Sequence, residues 1–161
     1  MATFGPERSP SRISAASAPA ADERLSIVLG CRIVQLPRIE DARGNLSFIE
    51  GNLHIPFPIQ RVYWVYDVPG GAARDGHAYR TLEEFIIAAS GSFDVAIDDG
   101  RHEQVVQLNR SYVGIYIPPG VWRTLENFSS NSVALILASQ TYSEGDYVRD
   151  YPEFMRSRKW Q

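Results

Sequence analysis

Short runs of apolar and β-branched residues recur along the chain, and turn-forming residues separate them. The runs occupy residues 32–36, 45–49, 60–66, 85–89, 93–97, 104–108, 112–117 and 133–139. Strands spaced this closely, with no helical periodicity between them, are typical of an antiparallel sandwich or barrel. The sequence therefore predicts an all-β domain, with one short helix near residues 151–158 at its end.

Turn signals support this interpretation. Asp99 and Gly100 stand between the runs 93–97 and 104–108, and an Asp-Gly pair in that position is a strong hairpin signal. Glycine-containing turns are also predicted at residues 41–44, 69–71 and 118–120. We expect neighbouring runs to pair through these turns.

The first part of the chain differs from the rest in composition. Residues 1–24 are rich in Ala, Ser and Pro, show no periodicity and lack the apolar core of a secretory signal. We interpret them as a flexible tail, and residues 25–161 as a single domain. A chain of 161 residues is long enough for one domain with its own core.

Charge and cysteine content narrow the class of protein. The formal net charge of −3 and a pI near 5.6 argue against nucleic acid or an anionic membrane surface as the main partner. No apolar run approaches the roughly 20 residues that a membrane helix needs. Cys31 is the one cysteine, so no internal disulfide can form, and we expect a buried thiol in a cytoplasmic protein.

Two spacings resemble the two motifs of the cupin barrel. In the first, Gly71, His77, Glu84 and Gly91 fall at the motif positions, and Tyr79 stands where the second histidine is usual. In the second, Pro118, Gly120 and Asn127 fall in place, and Arg123 stands where the histidine is usual. The resemblance implies a cupin-type antiparallel β-barrel, or jelly roll, preceded by the flexible tail and closed by the short helix.

The substituted positions argue against a metal. A cupin metal usually takes three histidines and one glutamate, because imidazole and carboxylate suit a first-row divalent ion. Arg123 is a permanent cation with no lone pair to donate, so it would repel such an ion and attract an oxyanion. We therefore expect no metal and no other cofactor, and an organic substrate in the barrel.

A closer resemblance extends over residues 31–155. The segments 55–66, 74–78, 91–100, 119–122, 128–129, 137–139 and 142–151 are similar to those of the nucleotide-sugar 3,4-ketoisomerases. Members of that family are metal-free cupins, usually dimers that exchange an N-terminal strand. Their reaction moves the ketone of a 4-keto-6-deoxyhexose from C4 to C3 through an enediol(ate), in deoxysugar biosynthesis. The resemblance thus implies a nucleoside-diphosphate sugar as the partner and a homodimer as the assembly.

The resemblance also implies roles for individual residues. His77 matches the family base, and Tyr63 and Tyr79 are the other expected catalytic residues. The expected substrate-binding residues are Arg43, Arg61, Arg74, Glu84 and Arg123. Several have a structural alternative: a hydrogen-bonded strand position for His77, ring packing for Tyr63, and surface ion pairs for Arg43 and Arg123.

Two departures leave the reaction open. Tyr79 replaces a histidine of the family, and Glu84 replaces a glutamine that is common there. Three consequences of Tyr79 are open: it could relay the proton, the enzyme could be slower, or the substrate could differ. Arginine at position 43 accompanies the galacto product in relatives and arginine at 123 the gluco product, so the C4 configuration stays open. An epimerase or isomerase of another nucleotide sugar, and a non-catalytic sugar-nucleotide-binding barrel, are the alternative functions.

Overall fold

The computed structural model describes residues 24–158, and strands dominate that part of the chain. A 3₁₀ turn, Glu144–Asp146, precedes the last strand, and the helix α1 (Tyr151–Arg158) follows it. In chain order the strands are β1 (Arg24–Leu25), β2 (Arg32–Gln35), β3 (Arg38–Asp41), β4 (Gly44–Ser47), β5 (Arg61–Val65), β6 (Arg74–Tyr79), β7 (Glu84–Ser90), β8 (Phe93–Asp98), β9 (Glu103–Leu108), β10 (Val113–Ile117), β11 (Trp122–Glu126), β12 (Val133–Ala138) and β13 (Tyr147–Val148).

Two antiparallel sheets make up the barrel. One has six strands in the order β1-β2-β10-β7-β12-β5, and the other has five in the order β13-β6-β11-β8-β9. The hairpin β3–β4 forms a separate two-stranded sheet. The predicted all-β, cupin-type architecture is confirmed, including the short C-terminal helix.

The main core lies between the two sheets. Alternate residues of β8, namely Phe93, Val95 and Ile97, are fully or almost fully buried there. Ile86 and Ile136 meet them from the six-stranded sheet. Burying an aliphatic or aromatic side chain of this size contributes about 1.5–3 kcal/mol, so this interface is the main source of stability.

A second apolar layer covers the outer face of the six-stranded sheet. Phe85, Ile87 and Leu137 point to that face, where Ile55 and Phe57 from the segment before β5 pack over them. Strand β7 is therefore buried on both faces, which explains why its sequence is a continuous apolar run rather than an alternating one.

The eight predicted runs all contain strands, with ends shifted by one or two residues. The hairpin at Asp99–Gly100 joins β8 to β9, and α1 spans the expected residues. Strands β1, β3, β6, β11 and β13 were not among the predicted runs. They are either two residues long or largely polar, so no apolar alternation marks them.

The predicted flexible tail lies outside the described residues, except for Arg24, which belongs to β1. Cys31 is 1% exposed, as predicted, and burial together with the charge of Asp99 raises the pKa of its thiol to about 12. Between residues 24 and 158, no helix has the length and apolar character needed to cross a membrane.

Candidate active site

Polar side chains replace apolar ones in one part of the space between the sheets. They surround a cavity of about 270 Å³. Its walls are formed by Tyr63, Val65, Ala73, Arg74, His77, Tyr79, Arg123, Leu125, Ile136, Tyr147 and Arg149. A wider recess of about 490 Å³ lies near Ile27, Leu29 and Met155, but none of the predicted site residues borders it. The smaller cavity is therefore the candidate active site, called the pocket below.

Strand β6 supplies the two central residues of the pocket. His77 and Tyr79 are two positions apart, so they project from the same face of the sheet. Both are buried, and their rings meet edge to face with centroids 4.9 Å apart. The polypeptide after β6 is fixed to the turn before β13, because the Asp146 carboxylate accepts hydrogen bonds from the backbone N–H of Thr81 and Leu82.

Arg123 lies directly opposite His77 on the neighbouring strand β11. Its Nη1 atom is 3.5 Å from Nδ1 of His77, and its Nε and Nη2 atoms each donate a 2.9 Å hydrogen bond to the Glu84 carboxylate. Tyr63 Oη donates a 2.5 Å bond to Oε1 of the same carboxylate. Arg123 and Glu84 are 4% and 1% exposed, so this is a buried, bidentate ion pair.

The ion pair sets the protonation of its surroundings. Burial alone would raise the pKa of Glu84, but the Arg123 guanidinium and the bonds from Arg123 and Tyr63 hold it below the ordinary value. Burial, followed by the charge of Glu84, raises the pKa of both Tyr63 and Tyr79. At neutral pH the Arg123 guanidinium and two neutral tyrosines thus line the pocket, and the Glu84 carboxylate lies beneath them.

Tyr147 and Arg149 also border the pocket, and residue-type reasoning did not single them out. The Tyr147 ring contacts those of His77 and Tyr79, with centroids 5.0 and 4.6 Å away. Arg149 covers the Tyr147 ring at 4.1 Å and bonds to Glu144 at 2.9 Å. The sequence did contain one indication of their role, because both lie in segment 142–151, which is similar to the 3,4-ketoisomerase family.

Five of the eight expected residues line the pocket: Tyr63, Arg74, His77, Tyr79 and Arg123. Glu84 lies beneath it and reaches it only through Arg123 and Tyr63. The Arg61 guanidinium lies beside the pocket, over the rings of Tyr63 and Tyr142.

Arg43 is not part of this cluster. It lies in the turn between β3 and β4, its side chain is 90% exposed, and it forms a local ion pair with Asp41. The structure of one chain therefore does not bring it to the pocket.

The donor set of the pocket does not suit a metal ion. Within residues 24–158 no three His, Cys, Asp or Glu side chains are grouped as ligands would be. The Glu84 carboxylate is already neutralised by a guanidinium and bonded to a phenol. What the arrangement offers is one imidazole, several fixed hydrogen-bond donors and a positive rim made by Arg74 and Arg149, which suits an anionic organic substrate.

Comparison with known proteins gives a consistent result. The family described as "FdtA: WxcM-like, C-terminal" matches residues 29–159. A TDP-4-oxo-6-deoxy-alpha-D-glucose-3,4-oxoisomerase from Aneurinibacillus thermoaerophilus is 40% identical over 125 residues, which are 78% of this chain and 90% of that protein.

Solved structures agree with the sequence match. The WlaRB TDP-quinovose 3,4-ketoisomerase from Campylobacter jejuni is 40% identical, with a TM-score of 0.77 over 80% of this chain and 99% of that one. A histidine-to-asparagine variant of the 3,4-ketoisomerase QdtA from Thermoanaerobacterium thermosaccharolyticum, in complex with TDP-4-keto-6-deoxyglucose, is 33% identical, with a TM-score of 0.81 over 83% and 96% of the two chains. Sugar epimerases at 13–14% identity share the fold.

Proposed function

Because this chain belongs to the FdtA family and is a nucleotide-sugar 3,4-ketoisomerase, we propose that its substrate is a thymidine-diphosphate-linked 4-keto-6-deoxyglucose and that His77 is the base. The observation that carries the proposal is the position of His77: a buried imidazole on the pocket wall, between two tyrosines and a guanidinium. Similarity to the oxoisomerase of A. thermoaerophilus and to the WlaRB and QdtA enzymes supports the substrate class.

The proposed reaction needs no electron carrier. The C4 carbonyl acidifies the proton on C3, and His77 takes that proton, because imidazole is the side chain that titrates near neutral pH. The electron pair of the broken C3–H bond forms a C3–C4 double bond, and the C4 oxygen becomes an enediolate oxygen. The hydroxyl proton on the C3 oxygen passes to the C4 oxygen. A proton then reaches C4, and the C3 oxygen becomes the ketone oxygen.

Fixed donors would stabilise the negative charge that develops on oxygen. The Arg123 guanidinium and the Tyr79 hydroxyl border the pocket, and both keep their protons at neutral pH. Because Glu84 and Tyr63 hold Arg123 in place, no reorganisation is needed when the charge appears. Glu84 is in this scheme a residue that positions Arg123 and Tyr63, rather than one that touches the sugar.

The positive rim would bind the diphosphate. Arg74 and Arg149 border the pocket, and Arg61 lies beside it. Guanidinium groups bind phosphate oxygens in a bidentate manner, which also orients the sugar end toward His77. A nucleoside diphosphate placed this way leaves only the hexose inside the cavity of about 270 Å³.

We further propose a homodimer in which β3–β4 hairpins pack on the partner. Strand β5 is the edge of the six-stranded sheet and exposes Val62 and Trp64, and Tyr66 directly after the strand is exposed as well. The segment 38–48 exposes Ile39, Leu46 and Phe48. An exposed edge strand with apolar side chains is typical of a protein–protein interface. Because Tyr63 lies on β5, a hairpin packed there would carry Arg43 toward the partner's pocket.

Location in the cytoplasm stays a prediction from the sequence.

The test is direct observation of the reaction. The purified protein is incubated with freshly prepared dTDP-4-keto-6-deoxyglucose and followed by proton NMR, and we expect the carbonyl to move from C4 to C3. His77→Asn should lower turnover by about 10²–10⁴-fold with an unchanged melting curve. His102→Asn is the matched control, because His102 lies outside the pocket with a side chain that is 57% exposed. A fully active His77→Asn enzyme would refute the assignment of the base.

A further inference from the structure

The two walls of the pocket differ in chemistry. The wall from the five-stranded sheet carries His77 and Tyr79 on β6, Arg123 on β11 and Tyr147 on β13. The opposite wall comes from the six-stranded sheet and consists of Tyr63 and Val65 on β5 and Ile136 on β12. The groups that could exchange a proton with a bound sugar are thus concentrated on one side.

The opposite wall has no group available for proton transfer among the described side chains. Val65 and Ile136 are aliphatic. The hydroxyl proton of Tyr63 is engaged in the 2.5 Å bond to Glu84, and Nη2 of Arg123 donates to the Tyr63 oxygen at 3.3 Å. Burial and the charge of Glu84 raise the pKa of Tyr63, so this hydroxyl keeps its proton. Glu84 itself is fully engaged by Arg123 and Tyr63.

The reactive wall carries one base rather than two. Tyr79, the other buried side chain of β6 on this wall, ends in a phenol rather than an imidazole. Burial, the charge of Glu84 and the neighbouring Tyr63 all raise the pKa of Tyr79, so it acts as a neutral donor and not as a base. Within the described part of the pocket, His77 is the side chain suited to accept a carbon-bound proton at neutral pH.

We propose that His77 both removes the proton from C3 and returns it to C4, on one face of the sugar, so that the product carries an axial hydroxyl at C4. This inference rests on the proposed function and adds the stereochemistry. In a sugar of D-gluco configuration the protons on C3 and C5 are on the same face of the ring. A proton delivered to C4 on that face is cis to the C5 proton, which is the galacto configuration.

The step balances without another reactant. The C3–H electron pair becomes the C3–C4 double bond, and the proton resides on the imidazole. The hydroxyl proton on the C3 oxygen passes to the C4 oxygen. Tyr79 can assist by donating its own proton to one oxygen while accepting from the other, which leaves it neutral at the end. The imidazolium then protonates C4, the C3 oxygen forms the new carbonyl, and His77 returns to its starting state.

The configuration at C4 is the decisive readout. The reaction is run in ordinary water with dTDP-4-keto-6-deoxyglucose, and the coupling between the C4 and C5 protons of the product is measured. A small coupling, from an equatorial C4 proton, is the expected result. A large trans-diaxial coupling means that the proton arrived on the opposite face, and it overturns the inference while leaving the isomerase activity intact. An unchanged substrate would instead overturn the proposed function itself.

Tyr79→Phe tests whether one base performs both transfers. The variant removes only the hydroxyl from a ring that stays packed against His77 and Tyr147. In deuterated water we expect exchange of the C3 proton and formation of the 3-keto product to fall together, by about tenfold. Exchange at C3 that continues without product would identify Tyr79 as the group that protonates C4, and would refute the single-base scheme.

Discussion

The floor of the pocket and the β3–β4 hairpin each hold an arginine in an ion pair with a carboxylate, but the two pairs have different physical settings. Arg123 and Glu84 have side chains only 5% and 1% exposed, and a tyrosine completes the network. Arg43 and Asp41 are two residues apart in a turn, with side chains 90% and 44% exposed. The first pair is fixed by the fold of one chain, whereas solvent screens the second and leaves Arg43 free to find another partner.

The two settings suit the arginines to different roles. A buried guanidinium held by a bidentate carboxylate is a preorganised donor, and it is costly to disturb because both charges have left water. An exposed guanidinium on a hairpin contributes little to its own chain. In the proposed dimer it would lie near the partner's pocket and could act there.

Removing Arg123 should have the largest effect on stability. We expect Arg123→Met to lower the free energy of unfolding by about 3–5 kcal/mol, because it leaves the buried Glu84 carboxylate without its cation. Arg43→Met is the matched control, and it should produce no measurable change. Urea unfolding of both variants measures the difference.

A double variant sharpens this test. Glu84→Leu combined with Arg123→Met removes both buried charges, so it should recover much of the lost stability while activity stays low. Equal destabilisation by the Arg123 and Arg43 single variants would mean that burial does not make the Arg123–Glu84 pair more important for stability than the exposed Arg43–Asp41 pair.

Changing Arg43 should affect activity without affecting stability. If the hairpin serves the partner's pocket, Arg43→Glu should lower kcat/KM by about tenfold, which is about 1.4 kcal/mol of transition-state stabilisation. The melting curve should not move. Both quantities are measured on the same preparation.

Mixed dimers separate action within one chain from action across two. Co-expression of Arg43→Glu with His77→Asn should restore activity, because one of the two sites then combines an intact His77 with an intact Arg43 from the other chain. Mixed dimers that stay as slow as the parent variants would show that Arg43 does not act on the partner.

A carboxylate outside both regions gives the smallest expected effect. Asp99 accepts bonds from the backbone N–H of Leu29, Arg101 and His102, which overcome burial and lower its pKa from 3.8 to about 2. Since the folded state has the lower pKa, the stabilisation is present above about pH 4 and is lost as pH falls toward 2. Asp99→Asn should cost about 1 kcal/mol at pH 7.

The same variant supplies its own control through pH. Below about pH 2, where Asp99 is protonated in both states, the difference between Asp99→Asn and the unmodified protein should disappear. A difference that persists unchanged across acid pH would mean that the bonds to Leu29 and His102, rather than the charge, carry the effect.

Most of the fold could be predicted from the sequence, because it depends on local patterns. Alternation in residues such as Phe93, Val95 and Ile97 indicates a strand buried on one face, and Asp99–Gly100 indicates the hairpin that follows. Strand β3 could not be found this way, since all four of its residues are exposed and no core face marks it.

The site was predictable only in part, because it depends on long-range contacts. Spacing along one strand places His77 beside Tyr79, but nothing local indicates that Tyr147 pairs with Tyr79 across the sheet. The bidentate bond between Glu84 and Arg123 joins β7 of one sheet to β11 of the other. Sequence spacing alone therefore could not predict that the Glu84 side chain binds Arg123 and not the substrate.

Chemical labelling of Cys31 can report local opening of the barrel. This residue is the one thiol in the sequence, it is 1% exposed, and its pKa of about 12 leaves almost no thiolate at neutral pH. Because the thiolate is the form that reacts, a maleimide can modify Cys31 only when the adjoining segment leaves the core. Backbone bonds from Cys31 to Val28 and from Ser26 to Cys31 must break for that to happen. The labelling rate therefore measures how often this corner of the barrel opens, with no engineered probe.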